Sequence, residues 1–336
     1  MLDKAKQLST HEAQAQLALS DNWSPVGLID RGSDGSNIGI IWADAADLPP
    51  DGMPLSQAIS DDTSAGPVLT NGHWFATSMS ELPLYAMMHP GIPPSGLIFH
   101  MARCGSTLAW RILATLDATA SLVEPEIINS LITWSQKSVE DDSRLGHLRA
   151  GLMSIIRAQG GRYRRGYIKL TSINICAIDT IRACADQTPM LFIHRDPVEV
   201  LVSLTRIPPG WTNADSQFYR DLGFETEASL EERCTLILKV FLETALAAES
   251  RGDCRFVGYP QLIERMIDGD IPEFLGYEVD QATRTRMIEA TRHHSKSSDR
   301  TFEPDSRRKK AEASPEIQRL ASEHLADLYE EVLTRS

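Results

Sequence analysis

Gly96-Leu97-Ile98-Phe99-His100-Met101-Ala102-Arg103-Cys104-Gly105-Ser106-Thr107 is the stretch on which the fold turns. Leu97 to Met101 is a short apolar run. It ends in a Gly-Ser-Thr turn, and a helical stretch follows from Leu108 to about Leu116, so the order is strand, loop, helix. Later apolar runs, Tyr167 to Leu170, Met190 to His194 and Arg255 to Gly258, are each bounded by turn or polar residues and separated by helical periodicity. That alternation predicts a sheet, mainly parallel, with helices on its faces. The expected fold class is therefore α/β in three layers.

Outward from this core, helices are predicted over Ile127–Gln136, Arg144–Ala158, Ile173–Ala185, Pro197–Arg206, Leu230–Glu249 and Ser314–Leu333. Pro197 suits a first helical turn, where its missing N–H costs nothing. Asp21 to Pro94 is rich in Gly, Pro, Asp and Ser, with short apolar pieces at Gly39–Trp42 and His73–Thr77. The division expected is a small β- and loop-rich N-terminal extension, 1–94, followed by one α/β domain, 95–336. Met1 to Ser20 lacks an apolar h-region and reads as a short helix or a ragged terminus rather than a signal peptide.

The chain has 336 residues, 42% of them hydrophobic, enough for a sizeable core. Its formal net charge of -13 argues against broad nucleic-acid binding, which rests on an excess of Lys and Arg facing phosphates. No run approaches the roughly 20 apolar residues of a membrane span, so no membrane partner is expected. The 5 cysteines are widely spaced, without a Cys-x-x-Cys pair. They suggest neither a disulfide framework nor a zinc site, and a cytoplasmic setting without a metal is expected.

Ligands of open α/β sheets bind beyond the carboxyl ends of the strands, where a helix N-terminus offers free N–H groups and a positive dipole to phosphate. The turn from Arg103 to Thr107 is placed for this. Gly105 lets the backbone approach a phosphate, Ser106 and Thr107 add hydroxyls, and Arg103 supplies a permanent forked charge. An ordinary strand-to-helix turn, capped by Ser106 or Thr107, is the alternative. The loop is P-loop-like without being a Walker A loop, because His100 and Ser106 stand where that pattern requires Gly and Lys.

A second motif begins where the run Met190–His194 ends, in Arg195-Asp196-Pro197-Val198-Glu199-Val200-Leu201-Val202-Ser203. Ser203 lies about two helical turns beyond Arg195. Together, the two motifs resemble the sulfotransferase family, whose 5'-phosphosulfate loop typically reads Pro-[Arg/Lys]-Ser-Gly-[Ser/Thr]-Thr. Its second motif is a strand-end Arg followed at a fixed gap by a Ser, both on the 3'-phosphate. The resemblance spans about Gly96 to Ser203 and is weaker from Arg255 to Leu275. Ala102 and Cys104 depart from the loop pattern, and the glycine-rich, Lys-containing loop of cytosolic steroid and phenol sulfotransferases is missing.

The resemblance implies 3'-phosphoadenosine-5'-phosphosulfate as co-substrate and a small-molecule, glycan, lipid or peptide acceptor. It implies that Arg103, Cys104, Gly105, Ser106 and Thr107 cradle the 5'-phosphosulfate, with Arg103 in the catalytic position, and that Arg195 and Ser203 hold the 3'-phosphate. Glu124, after a second core strand, is the preferred base, with a helix N-terminal acid as the alternative. His100 and His194 are alternative bases, each otherwise a local hydrogen-bonding partner. Lys169, at a strand end, is placed to touch the acceptor or the sulfuryl group. Lys296 and Arg300, with the run Arg307 to Lys310, suit a lid over the nucleotide or a solvated segment. Trp211, Phe218, Tyr219 and Phe224 suit an acceptor pocket or a pinned loop. Two other functions compete: an ATP-dependent P-loop phosphotransferase, and a regulatory nucleotide-binding protein without chemistry.

Overall fold

Ile38 to Asp44 and Trp74 to Ser78 are short runs with β-branched and aromatic residues, which fit a pleated, half-buried surface. In the computed structural model they form strands. The structure describes residues 6–7, 10–30, 38–44, 74–136, 142–156, 163–225, 227–294, 297–301 and 306–336. The first four strands are β1 (Lys6–Gln7), β2 (Trp23–Asp30), β3 (Ile38–Asp44) and β4 (Trp74–Ser78), in a sheet of order β1-β4-β3-β2. Contacts between β2 and β3 and between β3 and β4 are antiparallel. Tyr85, from the helix Glu81–Met88, ties this sheet together: its hydroxyl donates to the Trp23 carbonyl at 2.7 Å, and its ring meets Trp42 edge-on at 4.8 Å.

The second sheet carries the motifs. Its strands are β5 (Gly96–His100), β6 (Thr119–Val123), β7 (Arg165–Lys169), β8 (Met190–His194) and β9 (Arg255–Gly258), in the order β6-β7-β5-β8-β9. The pairs β6·β7 and β8·β9 are parallel. Burial follows position: every residue of β5 and β8 is buried, whereas the edge strand β6 is half-buried throughout. Unbroken apolar runs are what a strand covered on both faces requires. The strand order reverses beside β5, because the chain builds β6 and β7 on one side of it and then β8 on the other.

By internal contacts the chain divides into two units. One comprises Met1–Leu97, Leu116–Thr171 and Asp179–Thr188; the other comprises Ile98–Thr115, Ser172–Ile178 and Pro189–Ser336. In the second unit the long helix Leu230–Ser250 packs on the helices Pro197–Arg206, Pro315–His324 and Ala326–Thr334. The helix Ser106–Ala114 packs on Gln281–Thr291.

Two predicted helices come out differently. Ile173–Ala185 is a 3₁₀ turn, Ser172–Ala177, followed by the helix Ile178–Cys184. Ile173, Asn174 and Ile175 are weak helix formers, and the turn buries Ile175 and Asn174. Ser314–Leu333 is two helices broken at Leu325, which is fully buried. Leu320 and Leu325 would stand about 140° apart around a continuous helix, so the break brings both into the core. The helix Pro197–Arg206 has the bounds the sequence predicts.

Candidate functional site

In the second unit, the carboxyl ends of β5 and β8 lie side by side. The Met101 N–H donates to the Ile193 carbonyl at 3.2 Å, the Cys104 thiol donates to the same carbonyl at 3.0 Å, and the Arg195 N–H meets Met101 Sδ at 3.3 Å. Arg103 and Arg195 therefore leave neighbouring strand ends, at the place where the strand order reverses and open α/β sheets bind ligands. Cys104 is buried, and its thiol is used as a tether for the loop.

The loop between β5 and its helix is strained. Ala102 and Arg103 have φ of 68° and 49°, and Gly105 has φ of 90°. Left-handed conformation costs an L-residue roughly 1–2 kcal/mol, and such strain gathers at functional sites. Gly105 is itself the N-cap of Ser106–Ala114, and no side chain caps that helix. The alternative of a turn capped by Ser106 or Thr107 is not what forms: both lie inside the helix, Ser106 buried and Thr107 half-buried, because the turn closes one residue earlier. Where a Cβ on Gly105 would stand, the Tyr259 ring lies 2.5 Å away. The space opened by this glycine is filled by that ring.

Arg195 is only 4% exposed. Its Nε donates to Glu199 Oε2 at 2.6 Å, its Nη2 donates to Ser306 Oγ at 3.2 Å, and its guanidinium stacks on the Tyr259 ring at 4.2 Å. Ser203 is half-buried, and its hydroxyl donates to the Glu199 carbonyl at 3.0 Å. Arg103 is half-buried and extends to the far end of the same helix, where Nη2 donates to the Ile207 carbonyl at 2.9 Å.

The expected lid divides. Lys296 lies outside the described residues, as does the side chain of Arg300. Ser306–Glu312 is a helix packed on Pro197–Arg206. Lys310 pairs with Asp196 at 2.7 Å and approaches Glu199 at 3.9 Å, and Glu312 pairs with Arg206. Of the basic run, Lys310 is engaged by the acids of the second motif, and Arg308 pairs with Glu312 at 3.7 Å.

In the first unit, Glu124 and Lys169 form an ion pair. Parallel pairing sets Val123 opposite Lys169, and the Glu124 N–H donates to the Lys169 carbonyl at 2.6 Å. Lys169 is buried, Glu124 is 35% exposed on its side chain, and Glu124 has φ of 45°. The helix that follows Pro125 begins at Glu126, so Glu124 stands before it in a left-handed turn. Its carboxylate is spent on Lys169 rather than on the helix dipole.

Both histidines are local partners. His100 Nδ1 accepts from the Ala102 N–H at 3.1 Å, bracing the strained loop. His194 Nε2 lies 2.7 Å from Ser336 Oγ, and burial, then the Arg265 charge, push its imidazole down to about 4. The four aromatics make ring contacts of their own. Trp211 and Phe218 pack on Phe241 of the long helix at 5.8 and 6.3 Å, and Tyr219 packs on Phe224 at 5.6 Å. Trp211 and Phe218 hold the segment after Ser203 against the long helix, because rings gain more from mutual burial than from facing water. A shallow hollow of about 350 Å³ on Gln281–Thr291, lined by Thr285, Arg286, Glu289 and Ala290, contains none of these residues.

Three residues that touch Arg195 were not singled out in the sequence: Glu199, Tyr259 and Ser306. The i,i+4 spacing of Arg195 and Glu199 was the available signal for the first. Tyr259 follows directly on β9, and Ser306 carries no local signal. Among the described residues no helix is long and apolar enough to cross a membrane, and no group of His, Cys, Asp and Glu is arranged to hold a metal ion.

No family profile matches the chain, and no curated protein sequence matches it. Solved structures that it resembles include sulfotransferases. One is a sulfotransferase (STF9) from Mycobacterium avium, 15% identical, covering 73% of this chain and 80% of its own, with a TM-score of 0.46. Another is the sulfotransferase domain of the curacin biosynthetic pathway, 12% identical, covering 69% and 98%, with a TM-score of 0.43. A mouse sulfotransferase (SULT7A1) complexed with PAP is 13% identical, covering 79% and 98%, with a TM-score of 0.41.

Proposed function

We propose that this protein is a sulfotransferase that moves a sulfuryl group from 3'-phosphoadenosine-5'-phosphosulfate to a hydroxyl or amine of a small-molecule, glycan, lipid or peptide acceptor. The observation that carries the reading is the placing of Arg103 and Arg195 at adjacent strand ends, the first on a strained loop that opens an uncapped helix. Two anionic groups of one ligand, held by two separate arginines, suit that arrangement.

In the proposed reaction the acceptor oxygen or nitrogen bonds to sulfur, while the bond from sulfur to the bridging phosphate oxygen breaks. The acceptor proton passes to the Glu124 carboxylate, and 3',5'-adenosine bisphosphate leaves. Arg103 spreads the charge that grows on the departing phosphate, and the Ser106 and Thr107 end of the helix faces it with backbone N–H groups. Lys169 holds the Glu124 carboxylate in position for proton uptake. Arg195 and Ser203 select the nucleotide by its 3'-phosphate, which ATP lacks.

A binding protein without chemistry is the second reading. It is favoured by the Arg103 guanidinium resting on the Ile207 carbonyl and by the Glu124 carboxylate resting on Lys169. Titration and turnover separate the readings. 3',5'-Adenosine bisphosphate is expected to bind more tightly than AMP or ATP, with the preference lost in Arg195→Ala; equal binding of all three by the wild type overturns the donor assignment. Turnover of the phosphosulfate with an acceptor pool, lost in Arg103→Ala, is expected of the enzyme. Tight bisphosphate binding without turnover of any acceptor supports the second reading.

A further inference from the structure

The two residues proposed to hold the 3'-phosphate are both bonded to a third. Arg195 gives Nε–H to Glu199 Oε2 at 2.6 Å and brings Nη2 to the same oxygen at 2.5 Å. Ser203, one turn further on, gives its hydroxyl to the main-chain carbonyl of Glu199 at 3.0 Å. We infer that Glu199 is the positioning residue of the 3'-phosphate site, fixing the orientation of the Arg195 guanidinium before a nucleotide arrives. The inference rests on the reading of Arg195 and Ser203 given under Proposed function.

An arginine at a strand end has a long, rotatable stem, and a ligand that must order it loses affinity to the entropy of doing so. Here the ordering is already done. Glu199 takes one edge of the guanidinium, and the Tyr259 ring covers one face at 4.2 Å. Glu199 cannot drift: it stands in the helix Pro197–Arg206, it is buried, and Lys310 faces its other oxygen at 3.9 Å. A carboxylate beside a phosphate site can also be read as a stand-in that the ligand must expel. That role does not suit Glu199, because leaving would strand a buried carboxylate and a buried guanidinium without each other.

Orientation and charge separate cleanly in two variants. Glu199→Asp keeps the charge and shortens the reach; Glu199→Gln keeps the reach and removes the charge. The measurement is the ratio of the dissociation constants of AMP and 3',5'-adenosine bisphosphate, by calorimetry, with melting temperature recorded to establish folding. A general structural role would move melting temperature and leave the ratio alone. Glu199→Asp is expected to lower the ratio about tenfold while AMP affinity stays within about twofold. Glu199→Gln, which retains an acceptor oxygen, is expected to lose less. An unchanged ratio in folded Glu199→Asp overturns the inference, and so does a higher ratio in Glu199→Gln, which would make the carboxylate an opponent of the phosphate. Should Glu199→Asp fail to fold, the direction of the Glu199→Gln change decides. If the wild type shows no preference, the 3'-phosphate reading itself fails. If the preference is lost in Arg195→Ala but kept in Glu199→Asp, only the role of Glu199 is lost.

Discussion

Gly105 is confined to glycine by two independent features. Its φ of 90° lies where an L-residue is strained, and an added Cβ would meet the Tyr259 ring at 2.5 Å. That ring is not a free end, because it also stacks on Arg195. Strain and overpacking together give an expected destabilisation of roughly 2–4 kcal/mol for Gly105→Ala, read from urea unfolding. An unmoved midpoint would mean that the loop does not take this conformation. The pair in the first unit supplies a contrast between its two members. Glu124→Ala leaves the buried Lys169 ammonium without its carboxylate and is expected to destabilise by about 1–3 kcal/mol, below the range for a fully buried pair because Glu124 is part exposed. Lys169→Met replaces the buried cation with an apolar chain of similar volume and is expected to keep stability within about 1 kcal/mol while losing turnover. Equal losses of stability would show that the pair is structural and not a base with its holder. Residues at strand ends, such as Arg103 and Arg195, were legible because a strand end is visible in the sequence as the last apolar position of a run. Glu199 and Tyr259 were not, since an acid on a helix and an aromatic after a strand read as surface and core until the partner beyond them is known.

At the level of elements, the helix Pro197–Arg206 shows why some boundaries can be read. Asp196 accepts from the Val198 N–H at 2.9 Å as N-cap, and Pro197 occupies the first turn, so the chemistry of the start is local. Asp196 has a second engagement, with Lys310 of the helix Ser306–Glu312 at 2.7 Å. The two are separable. Asp196→Ala is expected to cost about 1–2 kcal/mol by chemical denaturation, and Asp196→Asn, which keeps the cap, less than about 1 kcal/mol, because an ion pair with a half-exposed lysine is worth little. If asparagine costs as much as alanine, the link to Lys310 matters more than the cap. Elements decided by distant packing were not legible. Ser172–Ala177 tightens into a 3₁₀ turn and the chain breaks at the buried Leu325, and both bring side chains into the core. The aromatics from Trp211 to Phe224 fit two readings in sequence, because the partner of Trp211 and Phe218, Phe241, lies well beyond them in the chain.

For the whole molecule, a pH dependence in the acid range belongs to a buried residue outside the proposed chemistry. His194 ends β8 under the last helix, Ala326–Thr334, with Tyr329 edge-on at 5.5 Å, Ser336 on Nε2 and, among the described residues, no hydrogen-bond partner on Nδ1. Burial, then Arg265, lower its pKa from 6.5 to about 4. Above pH 6.5 the ring is neutral folded or unfolded, and the histidine adds no pH dependence. As pH falls below 6.5 the unfolded chain takes up the proton first, so stability is lost down to about pH 4 and the loss is complete below it. The difference corresponds to roughly 3 kcal/mol by pH 4. His194→Gln removes the titration. The drop in unfolding free energy between pH 7 and pH 4 is therefore expected to be smaller in the variant by about that amount, after the carboxylates common to both proteins cancel. Parallel pH profiles for the two proteins would show that His194 is solvated, and that the last helix does not close over β8.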